Sequence, residues 1–197
     1  MAGVSVAGAR WLLYHRTGGE EKDGRSTVKV TLWMAMSLNG MTARENQSED
    51  FLSNADWELF LDLVRASHAI VWGSVTHELF EQPVRQEFPD LPVVAVTHDE
   101  QFATRPGSLA ARSPGGALHL LDQLGLESVL LAGGSQLNAA FVRAGLIDHV
   151  VVAIEPVIVA RGIPLVAGDA PDLRLRLVRV DQGHSPTLRL QYDVLRS

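Results

Sequence analysis

The sequence has no cysteine among its 197 residues. This absence excludes disulfide bonds, thiolate metal sites, cysteine nucleophiles and the zinc-dependent deaminase chemistry that requires paired cysteines. Long apolar runs are also missing, because none approaches the ~20 residues of a membrane-spanning helix. The N-terminus lacks the order of basic, apolar and small residues of a secretory signal. We therefore expect a cytoplasmic protein.

Basic residues are in the minority, with 17 lysines and arginines against 23 acidic residues and a net charge of −6. This balance argues against nucleic acid and membrane surfaces as partners, because both attract basic proteins. With 46% hydrophobic and 20% charged residues, the composition is that of a globular protein. The length suits one domain.

Two common kinds of catalytic site are not indicated. The seven histidines do not show the paired spacing, with a carboxylate partner, of a helical zinc site. No Gly-x-Ser-x-Gly nucleophile elbow occurs either. We predict no metal ion, and no catalytic residue is assigned from these patterns.

The chain divides at residue 28. Residues 1–27 combine small residues, an isolated apolar cluster at 11–14 and a polar stretch at 17–24, which predicts a flexible leader. A mis-assigned start and an arm that docks on a partner subunit are the alternatives. Residues 28–197 form the predicted domain.

Within this domain, strand and helix patterns alternate. Strands are predicted at 28–36, 69–73, 92–97, 129–132 and 149–159. Helices are predicted from Ser53 through Val64, at 74–80, around 118–124 and at 137–144, with a Gly/Pro-rich loop from 106 to 116. Two alternating segments flank residues 182–186 and predict an antiparallel hairpin. This order favours an α/β fold with a mostly parallel sheet and helices on both faces.

Three acidic residues lie off the apolar stripe of the first helix. Asp56, Glu58 and Asp62 are expected on a solvated face, with Asp56 also capping the helix at capping-box distance from Ser53. A position at the mouth of a pocket would instead make one of them a proton donor.

Two glycine turns each lie between a predicted strand and a helix. They are Gly133-Gly134 and the segment Gly73-Ser74-Val75-Thr76. Such a turn gives a ligand close access to the backbone, and the amides that begin a helix bind anions such as a pyrophosphate. Tight turns and ordinary N-caps are the alternatives. The three spaced glycines of a standard Rossmann domain are absent.

Several short motifs, in one order and spacing, resemble a known family. They are MAMSLNG at 34–40, LVRA at 63–66, GSVT at 73–76, GGSQLN at 133–138, LID at 146–148 and GIPL at 162–165. Together they resemble the reductase domain of the bacterial bifunctional riboflavin-biosynthesis deaminase-reductase, a branch of the dihydrofolate-reductase-like fold. The resemblance extends over about residues 28–195.

This resemblance implies a three-layer α/β/α fold with a mixed, mostly parallel sheet and a C-terminal antiparallel hairpin. It also implies hydride transfer from NADPH to a ribosylamino-pyrimidine phosphate. The implied cofactor contacts are Ala35 at the nicotinamide, Gly73, Thr76, Gly133, Gly134, Ser135, Gln136 and Leu137 at the phosphates, and Ser74, Thr97 or His98 near the adenosine 2′-phosphate. The implied substrate contacts are Phe51 and Arg65, together with Asp56 if the enzyme reduces dihydrofolate. A surface ion pair for Arg65 and core packing for Phe51 are the alternatives.

Some positions depart from the pattern of the family. Ala132 replaces a glutamate before the paired glycines, and Phe80 replaces an aspartate; Asn39 and Ala160 replace a usual aspartate and glycine. The cofactor half is therefore better preserved than the substrate half. A noncatalytic nucleotide-binding protein and a dihydrofolate-reductase-like enzyme remain alternatives.

Assembly can also be predicted. The apolar strand at 150–159 and the C-terminal hairpin offer more β surface than one small sheet covers. We therefore expect a homodimer.

Overall fold

The computed structural model describes residues 26–104, 107–182 and 186–196. Residues 1–25 of the predicted leader lie outside this part of the chain. The strands are β1 (Lys29–Ser37), β2 (Met41–Arg44), β3 (Ile70–Gly73), β4 (Val93–Val96), β5 (Ser108–Ala111), β6 (Ser128–Leu131), β7 (His149–Glu155), β8 (Gly162–Pro164), β9 (Leu175–Gln182) and β10 (Leu188–Val194). The helices are α1 (Asn54–Ala66), α2 (Ser74–Glu87), α3 (Pro114–Gln123) and α4 (Ser135–Arg143).

Eight strands form the central sheet, in the order β5-β4-β3-β6-β1-β7-β10-β9. The first six run parallel to one another. Strand β10 pairs antiparallel with β7, and β9 pairs antiparallel with β10. The predicted mixed sheet and C-terminal hairpin are therefore confirmed.

The two faces of this sheet carry separate hydrophobic cores, because successive side chains of a strand point to opposite faces. Trp33 packs with α1 and with Val84 of α2. Its neighbour Leu32 packs on the other face with Leu121 of α3 and Phe141 of α4. The fold has three layers, α/β/α, as predicted.

Parallel strands end at a common edge of the sheet. The carboxyl ends of β5, β4, β3, β6, β1 and β7 lie side by side there. With about 4.8 Å between neighbouring strands, this edge is about 24 Å long from β5 to β7. Ligands of open α/β sheets bind at such an edge.

Two predicted boundaries are wrong around the Gly/Pro-rich segment. Residues 108–111 form β5 instead of a loop, and α3 begins at Pro114 instead of near Leu118. The hydroxyl of Ser113 accepts a hydrogen bond from the Gly116 N–H at 3.1 Å, and proline is favourable in a first turn. Ser113 and Pro114 are therefore the sequence signal for the start of α3, but Gly115 and Gly116, which are typical of loops, directly follow them.

Helix α2 also extends further than predicted, through Pro83 to Glu87. Its last turn is anchored by Arg85, which donates to the carbonyls of Pro89 at 2.9 Å, Leu91 at 2.8 Å and Gly107 at 2.6 Å. These tertiary bonds offset the backbone hydrogen bond that a proline cannot make.

A separate two-stranded sheet, formed by β2 and β8, was not predicted. The two strands are only four and three residues long and are about 120 residues apart in sequence, so no local pattern joins them. None of the helices in the described residues is long and apolar enough to cross a membrane.

Candidate functional site

A cleft of about 940 Å³ runs along the carboxyl edge of the parallel strands. Its wall includes residues from the ends of β1, β3, β4, β5 and β6, from the first turns of α1, α2 and α4, and from the small sheet of β2 and β8. The strand order therefore defines its two ends, one beside β5 and one beside α1 and β7.

The two glycine turns meet in the middle of this cleft. Strands β3 and β6 are neighbours, and the Gly73 N–H donates to the Gly133 carbonyl at 2.8 Å. Gly133 has a φ of +83°, and a Cβ there would lie 3.0 Å from Sδ of Met34. The Gly133–Gly134 peptide is cis. Both turns therefore contribute to one cleft, through Gly73 and Gly134, and position 133 requires glycine.

Two helices begin at these turns. Gly73 is the N-cap of α2 and Gly134 is the N-cap of α4, so no N-cap side chain occupies the first amides of either helix. The hydroxyl of Ser135 is buried and has no hydrogen-bond partner, and Thr76 Oγ1 lies beside Gly134. Free helix amides, the positive end of the helix dipole and hydroxyl donors together suit a phosphate group.

The β5 end of the cleft carries its basic side chains. Thr97 and His98 follow β4, and Arg112 follows β5. Arg112 donates to the carbonyls of Thr97 at 3.2 Å and Asp99 at 2.6 Å, which holds the guanidinium at the cleft wall. Arg112 was not predicted to be a site residue, because it follows β5 and that strand was not predicted.

The opposite end is built around Asp56. This residue lies in the first turn of α1, lines the cleft and is only 3% exposed, so the expectation of a solvated face is wrong for it. Glu58 is exposed, as predicted. The side chain of Ser53 makes no capping hydrogen bond. Instead, the Ser53 N–H donates to Oε1 of Glu155, at the end of β7, at 2.9 Å.

Asp56 and Glu155 form a buried pair of carboxyl groups. Burial, followed by the hydrogen bond and charge of Glu155, raises the pKa of Asp56 to about 7, although Ser53 and Arg189 oppose the shift. Burial alone would raise the pKa of Glu155 as well, but hydrogen bonds from Asp56, Ser53 and Thr187 outweigh it and lower that pKa.

The raised pKa of Asp56 and the lowered pKa of Glu155 together describe one proton that the two carboxyl groups share. While both groups are ionised, Asp56 and Glu155 cannot hydrogen-bond to each other, because one carboxylate cannot donate to another. Once Asp56 is protonated, it donates to Glu155. Near neutral pH the pair therefore holds its proton on Asp56 for an appreciable fraction of the time.

Aromatic rings surround this end of the cleft. The lining includes Trp33, Trp57, Phe60, Trp72 and Phe80. The ring centroid of Trp57 lies 5.2 Å from that of Phe60 and 6.4 Å from that of Phe80. Such a wall suits a flat apolar or heteroaromatic ring.

Most residues that the resemblance implicated lie on the cleft. The lining includes Ala35, Asp56, Gly73, Ser74, Thr76, Thr97, His98, Gly134, Ser135, Gln136 and Leu137. Gly133, Phe51 and Arg65 are not part of it. The guanidinium of Arg44 lies over the Phe51 ring at 5.8 Å. Arg65 is an exposed residue that bonds Asp62 at 2.8 Å and lies over the ring of Phe88 at 5.4 Å.

Three of the four positions that depart from the family pattern can be explained or located in the structure. Asn39 donates to the carbonyl of Val159 at 2.8 Å and accepts from its N–H at 3.0 Å, which an ionised aspartate could not do. Ala132 and Phe80 line the cleft, where a small and an apolar side chain replace two carboxylates.

Comparison with known structures identifies the fold as that of dihydrofolate reductase. The chain is similar to the dihydrofolate reductase of Enterococcus faecalis complexed with NADP(H) and RAB-propyl, with a TM-score of 0.65 and 15% identity over 86% of this chain and 98% of that one. It is also similar to a diaminohydroxyphosphoribosylaminopyrimidine deaminase/5-amino-6-(5-phosphoribosylamino)uracil reductase of Thermotoga maritima. That TM-score is 0.68, with 17% identity over 85% of this chain and 57% of that one.

Sequence comparison identifies the family. The family described as the RibD C-terminal domain matches residues 28–188, and the chain belongs to it. An uncharacterized protein of Bacillus subtilis (strain 168), YwjB, is 25% identical over 154 residues, which are 76% of this chain and 88% of that protein.

Proposed function

We propose that the protein is a cytoplasmic NADPH-dependent reductase that transfers a hydride to a small heterocyclic substrate. The observation that carries this proposal is the single cleft, which combines a phosphate-binding centre with a buried, protonatable acid among aromatic rings. Membership of the RibD C-terminal domain family and the fold of dihydrofolate reductase support the same class of reaction.

The residues of the cleft fit NADPH. Ser135, with its unpartnered buried hydroxyl, and the first amides of α2 and α4 would hold the pyrophosphate. Arg112, with Thr97 and His98 beside it, would hold the 2′-phosphate that distinguishes NADPH from NADH. When bound, the cofactor supplies the hydride from its nicotinamide ring.

Asp56 would supply the proton. A hydride adds to a C=N or similar bond more easily when an acid protonates the nitrogen, and a carboxyl group with a pKa of about 7 can do this at neutral pH. Glu155 positions that acid because it accepts the hydrogen bond of protonated Asp56 and holds Ser53 through its backbone N–H.

Two candidate substrates and one noncatalytic alternative follow from the comparisons and from the positions that depart from the family pattern. The ribosylamino-pyrimidine phosphate is the first candidate, because the Thermotoga maritima protein is described as a 5-amino-6-(5-phosphoribosylamino)uracil reductase. Dihydrofolate is the second, because Asp56 on the first helix faces the cleft and not the solvent. A protein that binds the nucleotide without turnover is the alternative, because Ala132 lacks the acidic side chain usual in the family.

Tryptophan fluorescence tests the cofactor directly, since Trp33, Trp57 and Trp72 all line the cleft. We expect NADPH to quench the fluorescence with a submillimolar Kd and NADH to bind more weakly. The absence of binding of either nucleotide below millimolar concentration would exclude the reductase. Oxidation of NADPH in the presence of a candidate substrate would exclude the noncatalytic alternative.

We also propose that the protein forms a homodimer, through β9. The predicted reason needs correction, because β7 is covered on both sides by β1 and β10 of its own chain. Strand β9 is instead at the edge of the sheet and leaves four apolar side chains exposed, namely Leu175, Leu177, Val178 and Val180. Such an edge is normally covered.

Light scattering at micromolar concentration tests this assembly. The wild-type protein should have the mass of a dimer, and Leu177→Glu should have that of a monomer. Glu58→Gln, an exposed substitution on α1, is the control. A monomeric wild-type protein would contradict the proposal.

A further inference from the structure

The segment 73–76, which joins β3 to the first turn of α2, is held from behind by a buried hydrogen bond. It lies between the basic end of the cleft, at Arg112, and the acidic end, at Asp56, and all four of its residues line the cleft. Trp72 directly precedes this segment and His77 directly follows it, and Nε1 of Trp72 donates to Nδ1 of His77 at 2.9 Å. One side-chain hydrogen bond therefore encloses the segment whose free amides suit a phosphate group.

Both partners of this hydrogen bond are shielded from solvent. Trp72 is fully buried and His77 is only 3% exposed. The ring of Phe102 packs edge-on against the imidazole, with 5.4 Å between the ring centroids. A buried donor that loses its acceptor is costly, because water cannot replace the lost partner. The indole N–H of Trp72 therefore depends on His77.

The other nitrogen of His77 faces a second set of polar groups. Because Nδ1 accepts from Trp72, the neutral imidazole carries its proton on Nε2. Nε2 lies 3.3 Å from Oε2 of Glu81, one turn further along α2. Glu81 also accepts from the hydroxyl of Ser108 on β5, and that hydroxyl accepts from Arg85 at 3.0 Å. These contacts set the tautomer and the orientation of the imidazole ring.

Neither His77 nor Glu81 lines the cleft, so an effect of these residues on a ligand has to pass through their neighbours. The neighbours are Trp72, Thr76 and the first amides of α2, which do line it. A displacement of about 1 Å at a binding site can be costly even when its cause lies far from the ligand. The hydrogen bond from Trp72 to His77 is therefore positioned to control the geometry of this turn.

We propose that His77 is a positioning residue for the pyrophosphate of the cofactor, because its acceptor nitrogen holds Trp72 and thereby fixes the turn at 73–76. This inference rests on the proposed reductase function and adds to its cofactor site a residue that lies outside the cleft. The contact with Glu81 orients the imidazole, and the hydrogen bond from Trp72 sets the affinity for the cofactor.

Two substitutions of His77 separate its two polar contacts. In His77→Asn, the side-chain oxygen takes the place of Nδ1 and still accepts from Trp72. In His77→Gln, the amide takes the place of Nε2 and reaches only Glu81. In the full-length protein, we expect a Kd for NADPH within about twofold of the wild type for Asn and about tenfold higher for Gln. NADH should show the same ratio, because both nucleotides contain the pyrophosphate.

Chemical denaturation separates this role from a general loss of stability. Each substitution removes one polar contact of a buried ring, so both should lower the free energy of unfolding. Only His77→Gln should weaken NADPH binding. The indole N–H signal of Trp72 in proton NMR, assigned with Trp72→Phe, should shift in His77→Gln and stay close to its wild-type position in His77→Asn.

A double-mutant cycle tests whether the effect passes through Trp72. Trp72→Phe keeps an aromatic ring but removes the donor, so it should raise the Kd for NADPH about tenfold. The addition of His77→Gln should then cause no further loss. Trp72→Phe also provides the test if His77→Gln does not fold, and an unchanged affinity in this variant would contradict the proposal.

The outcomes separate this inference from the proposed function. The same Kd in His77→Asn and His77→Gln, whether unchanged or raised in both, would overturn the positioning role and leave the reductase in place. A further loss when His77→Gln is added to Trp72→Phe would overturn it as well. Failure of the wild-type protein to bind NADPH would instead overturn the reductase and this inference with it.

Discussion

The two ends of the cleft are built in different ways. The proposed phosphate-binding centre consists of two local turns, each a glycine followed directly by the first residues of a helix. The acidic end joins α1 to the end of β7, and the hydrogen bond from Ser53 to Glu155 spans 102 residues. Backbone amides thus form the first site, and long-range side-chain pairing forms the second. The first kind of site leaves a local signature in the sequence, and the second does not.

This difference predicts that the two ends can be disabled separately. The largest effect is expected for Gly133→Val. The positive φ and the contact of a new Cβ with Met34 should displace the turn, and NADPH affinity should fall by more than about a hundredfold. Gly115→Ala is the matched control, because a Cβ there meets nothing within 4 Å. Retention of affinity in Gly133→Val would contradict the placement of the phosphates.

Asp56→Asn should disable the other end. The amide is nearly isosteric and can still donate to Glu155, but it cannot release a proton to the substrate. We expect kcat to fall by about a hundredfold or more, as for other general acids, with the Kd for NADPH changed by less than about twofold. A parallel loss of NADPH binding would show that the two ends are not independent.

The same substitution should change the pH dependence of stability. The pKa of Asp56 rises from 3.8 to about 7 on folding, so its contribution to stability is present below about pH 4 and is lost as the pH rises through about 7. At about pH 8, Asp56→Asn should be more stable than the wild type by about 1–2 kcal/mol, a modest gain because the pKa of Glu155 moves in the opposite direction.

Chemical denaturation at several pH values measures this difference. The gain in the free energy of unfolding should shrink as the pH falls towards 4 and disappear below the ordinary pKa of 3.8, where Asp56 is protonated in both states. A gain that is independent of pH would indicate a packing effect instead.

Arg112→Ala should have a more selective effect at the basic end. Loss of one charge-assisted contact should lower the affinity for NADPH by about tenfold. Affinity for NADH, which lacks the 2′-phosphate, should stay the same, and fluorescence titration with both nucleotides measures the contrast. An equal loss for both would mean that Arg112 only holds the loop through its bonds to Thr97 and Asp99.

The smallest effect is expected for Arg65→Gln. Arg65 is exposed, pairs with Asp62 and does not line the cleft. Exposed ion pairs contribute about 0–1 kcal/mol, and kcat/KM should change by less than about twofold. A tenfold loss would restore the substrate contact that the family resemblance implies.

The fold could largely be predicted from the sequence, because period-2 and helical patterns define most elements of the central sheet. Strand β5 escaped prediction because it is four residues of SLAA in a segment rich in turn residues. Strands β2 and β8 escaped because neither is long enough to show a pattern and each is defined by the other.

The candidate site could be predicted only in part. The glycine turns were identified because their proposed role depends on backbone geometry, which glycine reveals locally. The burial of Asp56 could not be predicted, since its spacing from Ser53 equally fits a helix cap. Only the approach of β7 brings Glu155 to this end of α1. Arg112 could not be identified as a site residue, because it follows β5, a strand that the sequence did not indicate.

The most direct test of this account is a carbon NMR titration of the Asp56 carboxyl group, with Asp56→Asn used to assign its signal. We predict a midpoint at about pH 7, because burial and Glu155 both favour the protonated form. This result would place a proton donor at the acidic end of the cleft at neutral pH. A midpoint near 3.8, the ordinary value for aspartate, would contradict it.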